Sequence, residues 1–409
     1  MTTQALVAWA RSGAMALTGR PGGPPLAAPG RPALAVEEAL GRVAASAAVR
    51  TGEVPQLPDV TLLAERAACA GFTRNAPWSC GGRFRAVRAR DGFVGLSLAR
   101  TVDIALVPAL VEADGVGDVW AMVEDWARAI TVREADERIA LLSLPGGGLP
   151  APGTSTQRAP VSRRSGGRRA RVGARPRIVD FSALWAGPLC THLLTRTGAE
   201  VIKVESAARP DGARNGSAAF YSLLHSEQRS VAVDFDDAAD RARLTQLVES
   251  ADLVVEASRP RALHRLGLDA ETLVDAGVSW LSITARGRQS DRVGFGDDIA
   301  ASAGLSAIDC DGIPVPCGDA IADPLTGVVA AAEAAEALLD TRARLIDISM
   351  HDLAVVAAAD PPAPHTVSLR SGRWWVDCEA GAFPVLDPIS RCATGPAPEL
   401  GAHSLEELL

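Results

Sequence analysis

Short apolar runs alternate with helical patterns over residues 177–284, and this alternation constrains the fold more than any other feature of the chain. Five runs have the length and composition of buried strands, at 177–181, 199–205, 230–234, 252–256 and 280–284. Strands alternating with helices at this spacing predict a parallel sheet that is covered on both faces. We therefore predict an α/β fold, with a Rossmann-like parallel sheet as the large domain and a smaller α+β domain.

The carboxyl ends of these runs are polar, and ligands of parallel sheets bind beyond such ends. Asp180, Glu205, Glu256 and Thr284 all stand at these positions. The first strand is not followed by the G-x-G-x-x-G turn of dinucleotide-binding proteins, so a nicotinamide cofactor is not indicated.

Four regions follow from the changes in pattern. Residues 1–150 form a small-domain-like α+β region, with a hairpin predicted from the runs 84–87 and 93–98 around a turn at Asp91. Residues 151–176 are rich in Arg, Gly and Pro and predict a solvated linker, although docking of an acidic or nucleotide ligand is an alternative. Residues 177–360 are the large domain, and residues 361–409 are a C-terminal tail that returns to the core.

The N-terminal region also contains a weak, degenerate repeat of a later segment. Residues 11–25 resemble residues 301–315, and each copy leads into a predicted helix. The first copy reads Pro-Gly-Arg-Pro at 29–32 where the second reads Ile-Ala-Asp-Pro at 321–324, so it lacks the aspartate.

Composition excludes several classes of function. The chain has 409 residues, 47% of them hydrophobic and 22% charged, as expected of a globular protein. A net charge of -8 gives no support to nucleic-acid binding. The seven cysteines contain no C-x-x-C pair, which favours reduced thiols in a cytoplasmic protein over a disulfide or metal framework. No stretch predicts a leader or a membrane span.

The segment 318–327 is the strongest candidate for chemistry. It precedes an Ala-rich helical run at 328–339, and Pro324 and Thr326 have the composition of a helix start. A carboxylate at Asp323 would lie near unpaired N–H groups and the positive end of the helix dipole, so we expect it to be ionised at neutral pH. Such a group is a candidate nucleophile or base, and the alternative is a helix cap.

The surrounding blocks resemble family III CoA-transferases, the group that includes formyl-CoA transferase, carnitine CoA-transferase and α-methylacyl-CoA racemase. The resemblance covers about residues 176–350 and the C-terminal tail. The blocks that carry it are VDFSALWAGP (179–188), TGAEVIKVE (197–205), QRSVAVD (228–234), VVEASRP (254–260), HRLGL (264–268), GDDIAASAG (296–304), the Asp323 segment and LGAHSLEELL (400–409).

The order of the domains departs from that family. The small-domain-like region precedes the large domain here, whereas it follows the large domain in ordinary members. The resemblance implies an interlocked homodimer.

The resemblance also implies a mechanism. The aspartate matching Asp323 would attack an acyl-CoA thioester and form a mixed anhydride, then an aspartyl-CoA thioester, before a carboxylic acid acceptor takes the CoA. Gly81 and Gly82, in the WSCGG segment, are the candidates for oxyanion donors, and the alternative for both is a turn at the entry of the hairpin. Coenzyme A is thus expected as a substrate, with no metal.

Arginines near the strand ends are the natural partners of the CoA phosphates. We predict Arg229, Arg259 and Arg265, followed by Lys203 and Arg286, with surface ion pairs as the alternative for each. Three further residues are candidates for contact with CoA or the acyl group: Trp185, Gly296 and Asp298. Trp185 favours a bulky or apolar acyl group over a small dicarboxylate, unless it belongs to the core.

Two rival functions remain open at this point. One is a racemase, epimerase or lyase of acyl-CoA on the same fold. The racemase branch has a histidine in a Gly-His-Asp triplet, and the corresponding Gly296-Asp297-Asp298 has none. The other rival is a catalytically silent CoA-binding subunit.

Overall fold

A computed structural model describes the protein over residues 2–113, 117–150, 157–169, 172–257 and 260–409. The N-terminal region is mainly helical, with a small sheet. Its helices are α1 (Thr3–Arg11), α2 (Pro32–Thr51), α3 (Glu65–Ala70), α4 (Thr101–Ala105), α5 (Val107–Val111), α6 (Val119–Ala129) and α7 (Val132–Leu141). Its strands are β1 (Phe84–Arg88), β2 (Phe93–Ser97) and β3 (Gly146–Leu149).

The central region contains the large sheet and the helices that cover it. Its strands are β4 (Val161–Arg168), β5 (Arg177–Asp180), β6 (Glu200–Ser206), β7 (Arg229–Val233), β8 (Leu253–Glu256), β9 (Ser279–Thr284), β10 (Ser306–Ile308), β11 (Pro314–Pro316) and β12 (Arg342–Ser349). Its helices are α8 (Ala186–Arg196), α9 (Ala218–His225), α10 (Ala238–Glu249), α11 (Pro260–His264), α12 (Ala270–Ala276), α13 (Gly296–Ser302), α14 (Ala322–Ala337) and α15 (Met350–Ala357). The C-terminal region adds β13 (Thr366–Arg370), β14 (Arg373–Cys378), β15 (Gly381–Pro384) and α16 (Leu405–Leu408).

The large sheet confirms the α/β prediction. Within the described residues it has seven strands in the order β4-β12-β9-β8-β5-β6-β7. Strands β5 to β9 and β12 run parallel, and β4 pairs antiparallel with β12 at the edge. The five apolar runs of the sequence are the five strands β5 to β9, with bounds that differ by one or two residues. Their runs are buried almost continuously, because a parallel sheet is covered on both faces.

Successive residues of the central strands belong to different hydrophobic cores. Ile178 and Val255 pack in the core that contains α8 and α14. Val179 and Val254 pack in the core on the opposite face, with residues of α10 and α12. This alternation follows from the two-residue period of a strand.

Strand β4 corrects the prediction for part of the 151–176 segment. We expected a solvated linker, but residues 161–168 form the antiparallel edge of the large sheet. The run carries three arginines and two glycines, so its sequence lacks the apolar pattern of a strand. An edge strand tolerates this composition because one side of it faces solvent, and Gly166 and Gly167 allow close contact with the backbone of α12 and the residues after it.

Helices α2 and α14 follow the two copies of the weak repeat, as predicted, and pack against each other. The central alanines of α14, residues 330–332, are fully buried. Arg42 of α2 donates to Glu333 Oε1 (2.6 Å) and to Glu336 Oε1 (2.8 Å) of α14. The N-terminal region is therefore joined directly to the helix that begins at the candidate site.

Both ends of the C-terminal region contact the body of the protein. The Leu386 N–H donates to the Ala10 carbonyl (2.9 Å), next to the sheet β13-β14-β15. The His403 N–H donates to the Ser230 carbonyl on β7 (2.9 Å), and α16 packs against α10.

Candidate active site

Asp323 lies in the first turn of α14, as the sequence predicts. The helix begins at Ala322, and its cap position, Ile321, has no side-chain capping bond. The Asp323 N–H donates to the Ala320 carbonyl (2.8 Å), and Ala320 has a positive φ of 42°. Asp323 is half-buried and is not the cap of its helix. Its side chain is thus available for another role.

The start of α13 packs against the start of α14 at this point. A Cβ atom at Gly296 would lie 2.6 Å from Asp323 Oδ2 and 2.2 Å from the Ala320 carbonyl oxygen. Only a residue without a side chain fits there. Gly296 was predicted as a contact of CoA, and the structure places it against the candidate nucleophile.

Tertiary contacts act against the expected ionisation of Asp323 at neutral pH. Burial raises its pKa to about 7, and the charges of Asp297 and Asp319 raise it too, while Arg66 and the Gly296 backbone N–H oppose the shift. The helix N-terminus does favour a negative charge. Desolvation by the packed loops is larger here, so both protonation states are populated near neutral pH.

Two further carboxylates lie beside Asp323. The Ala320 N–H donates to Asp297 Oδ1 (3.0 Å). Burial and the neighbouring Asp319 raise the pKa of Asp297 to about 6. Asp319 is fully buried, and Arg66 donates to both of its carboxylate oxygens, with a distance of 2.8 Å between Nε and Oδ2. We call Asp297, Asp319 and Asp323 the carboxylate cluster.

Arg66 is fixed from a second side by aromatic rings. Its guanidinium carbon lies 4.9 Å from the centre of the Trp185 ring and 5.9 Å from that of Phe72. Trp185 is 3% exposed and meets the edge of the Phe220 ring at 5.4 Å. Trp185 therefore belongs to the core, which was the alternative to contact with the acyl group. Its ring also packs against the Arg66 guanidinium.

Gly81 and Gly82 lie in a turn at the entry of the β1-β2 hairpin. Such a turn was the alternative to a role of these two glycines as oxyanion donors. The Gly82 N–H donates to the Ser79 carbonyl (2.8 Å), and Gly82 has φ 70°. Its N–H is therefore occupied by the turn. The same turn does approach the site, because Cys80 Sγ lies 3.2 Å from Asp319 Oδ1. Burial is the largest cause of a raised pKa at Cys80, so this thiol stays protonated.

Asp298, a candidate for contact with CoA, is buried in the first turn of α13. Its Oδ1 accepts from Ser97 Oγ (2.6 Å) and from the Phe295 N–H (3.0 Å). Burial raises its pKa to about 7. The bond from Ser97, at the end of β2, links the hairpin of the N-terminal region to α13.

Lys203 and Arg229 were predicted as partners of the CoA phosphates, and the structure places each in different surroundings. Lys203 is 1% exposed, and its ammonium pairs with Asp211 Oδ2 (3.0 Å) and donates to the Ser182 carbonyl (2.9 Å). Arg229 is exposed and lies at the amino end of β7. Ligands of parallel sheets bind beyond the opposite, carboxyl ends of the strands. Both side chains are positively charged, but the sequence does not show that Lys203 is buried or that Arg229 lies at the amino end of its strand.

The other predicted arginines lie elsewhere. Arg265 is exposed just after α11, beyond the carboxyl end of β8. Arg286 follows β9 and donates to Ser302 Oγ (3.0 Å), and burial lowers its pKa. Arg259 lies outside the described residues.

Two surface cavities accompany these features. One, of about 590 Å³, lies between the N-terminal region and the β13-β14 hairpin and is lined by Arg74, Arg373 and Trp374 among others. The second, of about 310 Å³, lies near the carboxyl end of β8 and is lined by Glu256, Trp280 and Arg288 among others. Asp323 lines neither of them.

Comparison with known proteins identifies the central region. Residues 175–372 match the family described as "CoA-transferase family III". The chain carries a CoA-transferase family III domain. The resemblance inferred from the sequence motifs is thereby confirmed, and Asp297, Asp319 and Asp323 all lie within this family III domain.

Two relatives that match this chain are named as CoA-transferases. The chain is 29% identical over 218 residues to a succinate–glutarate CoA-transferase of Agrobacterium fabrum, covering 47% of this chain and 54% of that protein. It is 30% identical over 172 residues to a formyl-CoA:oxalate CoA-transferase of Afipia carboxidovorans, covering 37% and 39%. The chain thus spans about half or less of the length of these relatives.

A solved structure of the hypothetical protein Rv3272 from Mycobacterium tuberculosis aligns with a TM-score of 0.41 at 30% identity, covering 44% of this chain and 55% of that one. Within the parts of the chain that the structure describes, no helix is both long and apolar enough to cross a membrane.

Sequence reasoning missed the residues that surround Asp323. Asp319 lies in the segment that we singled out, and its proximity to Asp323 in the chain was a usable signal. Arg66 had none, because it lies 253 residues from its partner Asp319 and in no recognisable motif.

Proposed function

We propose that this protein transfers CoA between an acyl-CoA thioester and a carboxylic acid, with Asp323 as the nucleophile. The observation that supports this most is the position of Asp323 within the family III domain. Its carboxylate lies at the start of a buried helix, is not used as a cap, and is approached by the Gly296 backbone. A carboxylate that is not used as a helix cap is available to react.

The reaction is a series of carbonyl substitutions. An Asp323 oxygen attacks the thioester carbonyl, the C–S bond breaks, and CoA leaves as thiolate from a mixed anhydride. The thiolate then attacks the aspartyl carbonyl, which releases the acyl group as a carboxylate and leaves an aspartyl-CoA thioester. The acceptor carboxylate repeats these two steps in reverse and regenerates Asp323. A fixed carboxylate thus divides one slow exchange into feasible steps.

Positioning accounts for much of the expected rate. Holding a thioester against a fixed carboxylate supplies about 7–11 kcal/mol in well-oriented systems. The N-terminal turn of α14 and the Gly296 N–H place backbone dipoles next to the reacting oxygen. Gly81 remains a candidate donor for the oxyanion, because the turn that contains it reaches Asp319 through Cys80.

We propose that the sheet is Rossmann-like and that CoA binds at its carboxyl edge. The order β7-β6-β5-β8-β9-β12 supports this, since it corresponds to the 3-2-1-4-5-6 order of doubly wound folds. Arg265, exposed beyond β8, and the cavity near the carboxyl end of β8, which His264 and Arg288 help to line, are the features there that suit a nucleotide. An Arg265→Met variant should raise KM for the acyl-CoA, and an unchanged KM would remove Arg265 from this role.

The test of the function is CoA exchange. The protein is incubated with an acyl-CoA and a panel of carboxylic acids, and new thioesters are detected by mass spectrometry. Asp323→Asn should abolish exchange and retain CoA binding, whereas Asp125→Asn, at a carboxylate whose side chain is 81% exposed, should behave as wild type. Hydroxylamine should trap an Asp323 hydroxamate only in an active transferase, so a silent CoA-binding subunit gives no adduct.

A second candidate function is proton transfer at the α-carbon of an acyl-CoA. The specific observation behind it is that Asp297 and Asp323, with pKa values of about 6 and 7, are both suited to acid–base catalysis near neutral pH. Uptake of deuterium from D2O into the acyl group, without CoA exchange, would favour this reaction. The interlocked homodimer stays a proposal, which light scattering of the purified chain tests.

A further inference from the structure

The carboxylate cluster places three acidic side chains around one guanidinium. The charged groups that face Asp323 are Asp297 on α13, Asp319 in the preceding loop and Arg66 on α3. Next to them lie Asp298 on α13, which is bonded to Ser97, and the protonated thiol of Cys80. Among these groups, Arg66 supplies the positive charge that opposes the accumulation of negative charge.

The geometry of Arg66 is that of a fixed charge and not of a mobile surface side chain. Its guanidinium donates to both carboxylate oxygens of the buried Asp319. The guanidinium carbon also lies 4.9 Å from the centre of the Trp185 ring. Burial acts to lower its pKa, but the attraction of Asp319 outweighs this, so the group stays charged. A lysine could not reproduce both the paired hydrogen bonds and the ring contact.

The proposed reaction needs this charge at two stages. A protonated Asp323 is a poor nucleophile, and the two neighbouring carboxylates favour its protonated form. In the second half of the reaction, a negatively charged acceptor must approach the same place. A guanidinium held within the cluster favours both events.

Arg66 comes from outside the family III domain. That domain matches residues 175–372, whereas Arg66 is on α3 of the N-terminal region. Its neighbours Phe72 and Cys80 lie in the same region, after α3. The Gly318 N–H also donates to Thr18 Oγ1 (2.8 Å), so the loop carrying Asp319 is held by the same region.

We propose that Arg66, held by Asp319, is a positioning residue that favours the charged form of the Asp323 carboxylate, so that the N-terminal region completes the site of the family III domain. This inference rests on the proposed function, and it adds a residue that acts through Asp323, with attraction of the acceptor as a second effect of the same charge.

The kinetic test is the pH profile of CoA exchange. In Arg66→Met, the acidic limb of kcat/KM should move to higher pH by about one unit or more, because a nearby opposite charge lowers a carboxyl pKa by roughly that amount. Arg66→Lys should restore part of this shift. Arg133→Met, at an arginine whose side chain is 79% exposed on α7, is the matched control and should leave the profile unchanged.

A second readout does not depend on activity. The thermal midpoints of wild type and Asp323→Asn are measured at several pH values. The difference between the two midpoints reports the ionisation of Asp323. Since burial raises the pKa of Asp323 above its unfolded value, the wild type should lose stability relative to Asp323→Asn as pH rises from about 4 through about 7. In the Arg66→Met background, this loss should extend to a pH about one unit higher or more. Arg66→Gln replaces Arg66→Met if the methionine variant does not fold.

The outcomes separate the two proposals. A shifted stability curve in a protein that exchanges no CoA would reject the transferase and retain the role of Arg66. If the Arg66 variants exchange CoA as the wild type does, and neither their acidic limb nor their stability curve is shifted, the proposed role of Arg66 is overturned. The transferase proposal then stands.

Discussion

Gly296 and Asp323 approach so closely that a single methyl group at position 296 would lie 2.6 Å from the Asp323 carboxylate. The same methyl group would lie 2.2 Å from the carbonyl oxygen of Ala320, which belongs to the backbone and cannot rotate away. The first residue of α13 thus fixes how near α13 can come to the turn that carries the candidate nucleophile.

The first prediction is that Gly296→Ala displaces Asp323. The forced separation of α13 and α14 should cost about 1–3 kcal/mol of unfolding free energy, as overpacked cores do. A displacement of about 1 Å at a reacting group should lower kcat about a hundredfold. Urea unfolding and CoA exchange measure the two effects.

Gly41→Ala is the matched control for this substitution. Gly41 lies within α2, is exposed and has open space where the methyl group would go. Alanine favours a helix over glycine by about 0.8–1 kcal/mol, so this variant should be slightly more stable than wild type and fully active. Equal behaviour of the two variants would contradict the close contact at Gly296.

The second prediction concerns the pH dependence of the wild-type reaction. Burial raises the pKa of Asp323 to about 7, and in the proposed reaction only the charged form of Asp323 attacks the thioester. The value of kcat/KM should therefore rise about tenfold per pH unit below pH 7 and level off above it. A profile that is flat from about pH 5 upwards would show that Asp323 is already charged there, as the helix-dipole argument alone predicts.

The fold was predictable where burial leaves a continuous apolar pattern. Strand β9, Ser279–Thr284, was expected at 280–284 because every residue in it is apolar or small and buried. Strands β4 and β12 were not predicted, since Val161–Arg168 and Arg342–Ser349 mix charged and apolar residues, and they pair with each other at the edge of the sheet.

The site was predictable only as far as local sequence determines it. The position of Asp323 at a helix start follows from its neighbours along the chain. Its pKa does not, because burial by α13 and the charge of Arg66 arise from tertiary contacts. Lys203 shows the same limit, since nothing in its strand reveals that Asp211 takes up its charge.

The third prediction concerns Glu333, which joins α14 to two other elements. It is 3% exposed and accepts from Arg42 of α2 (2.6 Å) and from Arg163 of β4 (2.6 Å). Glu333→Ala should lower the unfolding free energy by about 1–2 kcal/mol, less than for a fully buried pair because both arginines are partly exposed. Glu336→Ala, whose carboxylate is 45% exposed, should cost less than about 1 kcal/mol.

A double-mutant cycle tests the strand assignment in the same experiment. If β4 lies where the structure has it, Glu333→Ala and Arg163→Met should be non-additive by about 0.5 kcal/mol or more. Additive effects in urea unfolding would mean that the 161–168 segment is not held against α14.

The fourth prediction uses the bond between Ser97 and Asp298, which joins the N-terminal hairpin to α13. Burial raises the pKa of Asp298 to about 7, and the hydrogen bond from Ser97 opposes this shift by favouring the charged form. Ser97→Ala should raise the pKa of Asp298 further, and it should destabilise the protein by about 1–3 kcal/mol where the carboxylate is charged. The charged form of Asp298 is the one that loses a hydrogen-bond donor in Ser97→Ala. The loss of unfolding free energy should therefore be larger near pH 8, where Asp298 is charged, than near pH 5. Urea unfolding of wild type and Ser97→Ala at these two pH values measures it, and a loss that does not depend on pH would show that Ser97 acts through packing alone.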